Sequence, residues 1–393
     1  MELNLASTDR VYPDINVVFD DSILQIDDDT AFVLTVNERF NSSVTFPSYA
    51  KSIRLGGTPY NYNQPINFPS TVESLYMCFR QCNNFNLPVT IPDSVINCGY
   101  IFGGCVNLNQ PITIGNNVQD CASMFTGCTN FNQPVTIPDS ITNCAAMFQS
   151  CTNFNQPVTI PDSVINCASM FYYCTNFNQI VTLTPGIRNC VLLFNYAICF
   201  NQPVIIPNSV INSGYMFNLC YSFNQPITIP DSVTNCAYMF YAVTEYNSTV
   251  VIPSSVTITN YMFSAVNSTP YNIYNSRFGP FDNSALKMPI YFYANSILGN
   301  SAQYMFNNCN SMSDLYIIGL QNNYQLNRFI RNNGQVRCNI YTDDISQNHL
   351  YNTYLLTNGG KPVWSQSVIE GKRCYYNDVV NLYIYNNWDG TIV

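Results

Sequence analysis

Seventeen cysteines carry the most reactive side chains of this 393-residue sequence, and their spacing decides what chemistry they could do. Thiolates bind zinc in tetrahedral clusters with CxxC-type spacing, and paired thiols form disulfides. Most of these cysteines instead recur every 23 residues in two columns. The first column contains Cys98, Cys121, Cys144, Cys167, Cys190 and Cys236, and the second contains Cys82, Cys105, Cys128, Cys151, Cys174 and Cys220.

The residues that replace cysteine in these columns argue against both metal binding and disulfides. Leu75, Ser213 and Thr259 interrupt the first column, and Ala197 and Val243 interrupt the second. Positions that accept these residues need a small buried side chain, and a free cysteine behaves as one. We therefore expect reduced thiols in the core and no metal. Five further cysteines lie outside the columns and stay unassigned: Cys78, Cys199, Cys309, Cys338 and Cys374.

Catalytic residues are scarce. His349 is the single histidine, which leaves no Ser-His-Asp or Cys-His arrangement unless it acts alone. A row of aspartates recurs at one turn of the repeat: Asp93, Asp139, Asp162 and Asp231. Neighbours in such a row would lie roughly 5 Å apart, the separation of the carboxylates in a retaining glycosidase. However, other coils place Asn116, Asn208 or Ser254 there, which favours a turn-forming role. The sequence predicts a protein that is not an enzyme and has no cofactor.

The low and negative charge of the chain limits the kinds of molecule that it can bind. Only 9% of the residues are charged, the net charge is −9, and Arg188 is the one basic residue between Arg80 and Arg277. Nucleic acids need basic patches, so we expect no nucleic-acid partner. The first residues lack a secretory signal pattern, and no apolar run is long enough to span a membrane. A surface-type composition without an export address favours a virion protein that is released by lysis.

The 23-residue period predicts a solenoid. The asparagine of the recurring "NQP" falls at Asn63 and then at eight further positions, the last being Asn247. Val135 and Ile137 flank Thr136 with strand periodicity, and Pro138 ends the run. In the other half of the coil, Cys121, Met124, Phe125 and Cys128 have i, i+3, i+4, i+7 spacing, which favours a short helix or 3₁₀ turn. We expect Phe125, Phe148 and Phe171 in the core together with the cysteine columns.

These motifs resemble a known family. "CTNFNQPVTIP" at 128–138 and "IPDSVTNCAYMF" at 229–240 resemble BspA-like leucine-rich repeats of the Treponema pallidum type. The closest resemblance is to the "FNQ…VTNxxxMF" variant of Mycoplasma and gut-bacterial surface proteins. The resemblance implies a parallel β-solenoid with recognition or adhesion roles. The predicted fold class is therefore a β-rich α/β solenoid of nine leucine-rich-repeat coils. It occupies residues 58–266, between a β-rich N-terminal cap (1–57) and a C-terminal region (267–393) with a degenerate coil and aromatic strands.

Two surfaces are candidates for ligand binding. One is the threonine column on the strands, in particular Thr136, Thr159 and Thr182, which has the neutral chemistry of a glycan- or protein-binding face. The other is a variable pair of residues after each Met-Phe, where we expect a solvent-facing tyrosine cluster: Tyr172, Tyr173, Tyr196 and Tyr221. Tyrosine is enriched at interfaces.

The predicted function follows from these surfaces. We expect a non-enzymatic phage virion component, such as a fibre, decoration or receptor-binding protein, that contacts glycan or protein on a cell, or other virion proteins. A homo-oligomer is possible in this interpretation. The alternatives are a BspA-type adhesin on the bacterial cell surface and a tailspike-like glycan hydrolase.

Overall fold

The computed structural model describes residues 40–41, 43–57, 59–243, 246, 250–253 and 255–263, together with β-strands outside these ranges. The chain divides into two compact units, unit 1 (Met1–Ile187) and unit 2 (Arg188–Val393). Cys309, Cys338, Cys374 and His349 have side chains outside the described residues. The predicted domain boundaries at 57/58 and 266/267 stay a prediction.

Unit 1 is built from short parallel strands. They are β1 Glu2–Asn4, β2 Val17–Val18, β3 Ala31–Val36, β4 Val44–Thr45, β5 Ser52–Gly57, β6 Val89–Thr90, β7 Ile112–Thr113, β8 Val158–Thr159 and β9 Val181–Thr182. The strands β1, β3 and β5 form one parallel sheet. The pairs β6–β7 and β8–β9 each join residues 23 positions apart, such as Thr90 with Thr113. This is the geometry of stacked coils that the sequence period predicts.

Unit 2 contains one eight-stranded sheet. Its strands are β10 Ile227–Thr228, β11 Val250–Ile252, β12 Ile290–Tyr293, β13 Asp314–Ile318, β14 Cys338–Thr342, β15 Ser365–Ile369, β16 Lys372–Asn377 and β17 Leu382–Asn386. Strands β10 to β14 and β17 pair in parallel, whereas β15, β16 and β17 pair antiparallel. The C-terminal strands therefore extend the sheet of the repeats instead of forming a separate one.

The second half of each coil consists of consecutive turns. The expectation of a helix or 3₁₀ turn is wrong for the described coils. Met124 N–H donates to Cys121 O at 3.2 Å and Cys128 N–H donates to Phe125 O at 2.9 Å, which closes tight turns. The N–H of Phe125 instead donates to Met147 O of the next coil at 2.9 Å. An α-helix would need i→i−4 bonds throughout, and here alternate N–H groups bond to the neighbouring coil.

Positive φ angles explain why the helix does not form. Ser123 has φ 56° and Gly127 has φ 75°, and the equivalent residues of the other described coils are also left-handed. Such residues occupy the third position of type II turns and interrupt a right-handed helix. The apolar stripe at i, i+3, i+4 and i+7 still points inward, because successive turns place these residues on the same side of the coil.

The core contains stacked rings and thiols. Phe125, Phe148 and Phe171 are fully buried, and the rings of Phe125 and Phe148 stack at 5.6 Å. Within one coil, Phe125 also stacks on Phe131 at 4.3 Å. In unit 1 the cysteine columns lie in this core as reduced thiols, including Cys98, Cys105, Cys121, Cys128, Cys144, Cys151, Cys167 and Cys174, and in unit 2 Cys190 and Cys236 are likewise buried.

Asparagine ladders join neighbouring coils. The N–H of Asn132 donates to Oδ1 of Asn109 at 3.0 Å, and the N–H of Asn155 donates to Oδ1 of Asn132 at 2.9 Å. A second, exposed ladder pairs side-chain amides, such as Asn130 Nδ2 with Asn107 Oδ1 at 3.3 Å. Neutral amides thus join neighbouring coils along both ladders.

Candidate ligand-binding surface

The strand face of unit 1 presents an uncharged row of hydroxyl groups. Thr90, Thr113, Thr136, Thr159 and Thr182 are all exposed, and each is flanked by apolar residues that point into the core. This alternation follows from the two-residue period of a strand. In unit 2, Thr228 is exposed in the same way. The structure thus places Thr136, Thr159 and Thr182 on one accessible face, which we call the threonine face.

The threonine face contains a depression of about 550 Å³. Thr90, Thr113 and Thr136 line it with their hydroxyl groups, and Asp93 and Asn116 contribute a carboxylate and an amide. Its remaining wall is apolar and comes from prolines and isoleucines. Asp93 is the only charged residue in this lining.

The predicted tyrosine cluster does not form one exposed surface. In unit 1, Tyr173 is 38% exposed and its ring lies 6.3 Å from that of Tyr172. In unit 2, Tyr196 and Tyr221 are only 9% and 8% exposed and meet edge-to-face at 6.3 Å. The expectation that all four face solvent is therefore wrong for Tyr196 and Tyr221. Tyr173 and Tyr196 share the same left-handed turn position, so the difference in exposure comes from their neighbours: the ring of Tyr221 packs against Tyr196.

Sequence reasoning missed a tyrosine stack in unit 2. Tyr215 and Tyr238 stack at 4.5 Å, and Tyr238 and Tyr261 stack at 4.8 Å. Burial, followed by the neighbouring tyrosines, raises the pKa of Tyr238 to about 12. The sequence contains a signal for this stack, since the three tyrosines are spaced by 23 residues and therefore lie at equivalent positions of successive coils. Their rings cover each other's faces, so the stack contributes to packing between coils.

The cysteines are placed for packing and not for reaction. The Sγ of Cys128 donates to Phe102 O at 3.0 Å, and the Sγ of Cys151 donates to Phe125 O at 3.0 Å. Burial raises the pKa of the Cys144 thiol to about 12, so the nucleophilic thiolate is disfavoured. Cys78 also lies in the core, in the column of the methionines. Among the cysteines with described side chains, Cys199 is the exposed one.

The aspartate row lies at exposed turns. Asp93, Asp139, Asp162 and Asp231 are exposed at the end of their strands, as a turn role requires. Oδ1 of Asp93 accepts the N–H of Asn116 at 2.7 Å, which joins one coil to the next. Within the described part of the chain, no group of three or more His, Cys, Asp or Glu side chains could hold a metal ion. The same part of the chain contains no helix with the length and apolar character needed to span a membrane.

Comparisons with known structures give distant likenesses. A leucine-rich repeat protein from Bacteroides ovatus ATCC 8483 matches with 20% identity and a TM-score of 0.44, over 63% of this chain and 60% of that one. A leucine rich cell surface protein from Faecalibacterium prausnitzii A2-165 matches with 16% identity and a TM-score of 0.39, over 84% and 94%. A leucine-rich repeat protein from Eubacterium ventriosum ATCC 27560 matches with 15% identity and a TM-score of 0.34, over 63% and 86%. Because these TM-scores are low, the assignment of the fold rests on the geometry of the stacked coils and not on these likenesses.

Comparison of the sequence with known families assigns the chain to one of them. No curated protein matches the chain. One family model matches three overlapping segments, residues 61–158, 116–202 and 183–276, which together span more than half of the chain. These segments contain the repeats whose threonine face and buried columns are described above. The chain belongs to the family described as "Mycoplasma protein of unknown function, DUF285".

Proposed function

We propose that this chain is a non-enzymatic recognition module of a bacterial cell surface, an adhesin of the BspA-like leucine-rich-repeat kind. Its threonine face contacts a glycan or a protein on an opposing surface. The observation that carries the proposal is the row of five exposed threonines, Thr90 to Thr182, on successive coils of unit 1. Each hydroxyl adds little affinity, and the repetition of equal sites along a surface adds much more.

The bacterial role is preferred to the phage virion role. The matching family is described from Mycoplasma, which supports a bacterial protein. The description of the Faecalibacterium protein as a cell surface protein agrees with this choice, although the structural likeness is too low to carry it. A hydrolase is disfavoured because the depression on the threonine face has one carboxylate in its lining, whereas glycoside hydrolysis uses a pair.

The experiment measures binding of the purified chain to arrays of glycans and extracellular proteins and to intact cells. We expect binding that changes little with ionic strength, because the threonine hydroxyls carry no charge. The triple variant Thr136→Ile, Thr159→Ile, Thr182→Ile should lose this binding and remain folded, since Ile205 occupies the equivalent position with 84% exposure.

A matched control tests whether the loss is specific. Thr142→Ile makes the same change in a different column, which already holds Ile96 and Ile165. Both isoleucines are about half exposed, so the column tolerates the side chain. Binding that the triple variant retains, or that Thr142→Ile abolishes equally, would contradict a role for the threonine face.

A further inference from the structure

The depression on the threonine face has the dimensions of a small-molecule site. Its volume of about 550 Å³ lies in the range that ligand pockets occupy. The lining comes from three successive coils, with Thr90, Thr113 and Thr136 at equivalent positions. The depression therefore lies within unit 1 and spans three of its coils.

Gly115 belongs to the middle one of the three coils that line the depression. Its neighbours in the same column are Pro92 and Pro138, which also line the depression. A Cβ atom at position 115 would lie 2.4 Å from Pro92 O and 2.7 Å from Pro92 C. No larger residue fits there unless the backbone moves, so the close approach of the two coils requires glycine.

The lining combines polar and apolar groups in one site. Threonine hydroxyls can donate to and accept from ligand hydroxyl groups, and the Asp93 carboxylate can accept from them. Asn116 fixes the carboxylate, because its N–H donates to Asp93 Oδ1 at 2.7 Å and its Nδ2 donates to the same oxygen at 3.3 Å. The apolar groups of Ile112, Ile114 and the prolines provide a surface without hydrogen-bonding groups.

We propose that this depression binds a neutral sugar residue of a glycan. A pyranose has a rim of hydroxyl groups and an apolar face of C–H groups, and the two parts of the lining match these two parts. The Asp93 carboxylate, with no basic residue in the lining, disfavours anionic ligands such as sialic acid or phosphate. This inference rests on the proposed function and names the ligand class of the threonine face.

The test uses the full chain and free sugars. Saturation-transfer NMR is recorded with glucose, galactose, mannose and N-acetylglucosamine, and with N-acetylneuraminic acid as the anionic comparison. Asp93→Asn and Thr113→Ile should each weaken binding of the neutral sugar about tenfold or more. Both changes are compatible with the fold, since Asn116 and Ile205 occupy the equivalent positions in other coils.

Asp162→Asn and Thr182→Ile are the matched controls. They make the same two changes at coils that do not line the depression, and they should leave the affinity for the free sugar unchanged. Signals from one or more neutral sugars that disappear only in Asp93→Asn and Thr113→Ile support the proposal. No signal from any neutral sugar, a preference for the anionic sugar, or signals that persist in both depression variants would overturn it.

The design separates this inference from the proposed function. If cell or array binding is lost in the triple variant of Thr136, Thr159 and Thr182 but survives Thr113→Ile, the threonine face binds and the depression does not. If wild-type protein binds a free neutral sugar but no cell or array component, the depression is a site and the adhesin role fails.

Discussion

The backbone N–H of Asn155 donates to the side-chain oxygen of Asn132 at 2.9 Å, so a side chain of one coil bonds to the backbone of the next. The same oxygen accepts Nε2 of Gln156 at 3.2 Å. Asn132 itself donates its N–H to Asn109. One asparagine per coil thus satisfies the backbone at the start of the strand segment and fixes the spacing between coils.

Asn132→Ala should lower the free energy of unfolding by about 1–3 kcal/mol, because it leaves the N–H of Asn155 without its acceptor. Asn130→Ala, two residues earlier, should cost less than about 0.5 kcal/mol, since it removes an exposed amide pair. Denaturant unfolding of the two variants provides the comparison. Equal losses would mean that the two ladders contribute alike.

Gly127→Ala should lower the free energy of unfolding by about 1 kcal/mol, because Gly127 has φ 75°. The loss of stability would come from the strained backbone conformation and not from a steric clash, since the nearest atom to an added Cβ is 3.6 Å away. Ser150, one coil later, has φ 59°, so Ser150→Gly should raise the free energy by a few tenths to about 1 kcal/mol. Thermal unfolding measures both, and changes of the same sign would exclude this explanation.

The buried thiols predict a loss of stability in alkaline solution. Burial raises the pKa of Cys98, Cys144, Cys190 and Cys236 from 9.0 to about 12. Between these values the unfolded chain releases thiol protons that the folded chain keeps. The unfolded state then binds fewer protons, so the free energy of unfolding falls as the pH rises from about 9 to about 12. Denaturant midpoints across this range measure the slope.

Cys144→Ser is the control for the alkaline effect. Serine does not ionise in this range, and Ser213 occupies the same column, so the fold accepts the residue. The free energy of unfolding of the variant should fall less steeply with pH than that of the wild type. The difference in slope should be at most about 1.4 kcal/mol per pH unit, which is the contribution of one proton. A slope that is identical in wild type and variant would show that this thiol stays protonated in both states.

Tyr196→Ser and Tyr173→Ser should differ although both residues occupy the same column with φ near 60°. Tyr196 is buried, so its loss should cost about 3 kcal/mol or more. Tyr173 is 38% exposed, and we expect a cost below about 1 kcal/mol. Urea unfolding of the two single variants tests this difference. Similar costs would indicate that Tyr196 is less buried in solution than in the structure.

The sequence predicts the architecture of the repeats better than their local conformation. The spacing of Cys121 and Cys128 shows the period, and their replacement by Leu75 or Ala197 elsewhere shows that the positions are buried. The left-handed residues are not visible in the same way, because Ser123 and Tyr173 are not residue types that favour positive φ. Only the glycines, such as Gly127, signal these turns, and a helical interpretation of the same apolar spacing was therefore wrong.

The candidate site shows the same limit. Alternation along the strand predicts that Thr136 is exposed, because side-chain direction follows from strand geometry. The depression is lined by three coils, two of which approach each other closely at Gly115, and no single-coil pattern contains this arrangement. The 23-residue period also does not predict the pairing of strand β12 with strand β13. Leu315 pairs with Ile290, which lies 25 residues earlier in the chain and not 23.

The bonds between coils have a consequence for the gene. In unit 1, Asn109, Asn132 and Asn155 each bond to a partner 23 residues away. Unequal recombination between neighbouring repeats would add or remove 23 codons and restore the same partners, whereas a single inserted codon would place the two partners on either side of it 24 residues apart. Descendants of this gene could therefore lengthen or shorten the solenoid by whole coils, with the same residues filling the core.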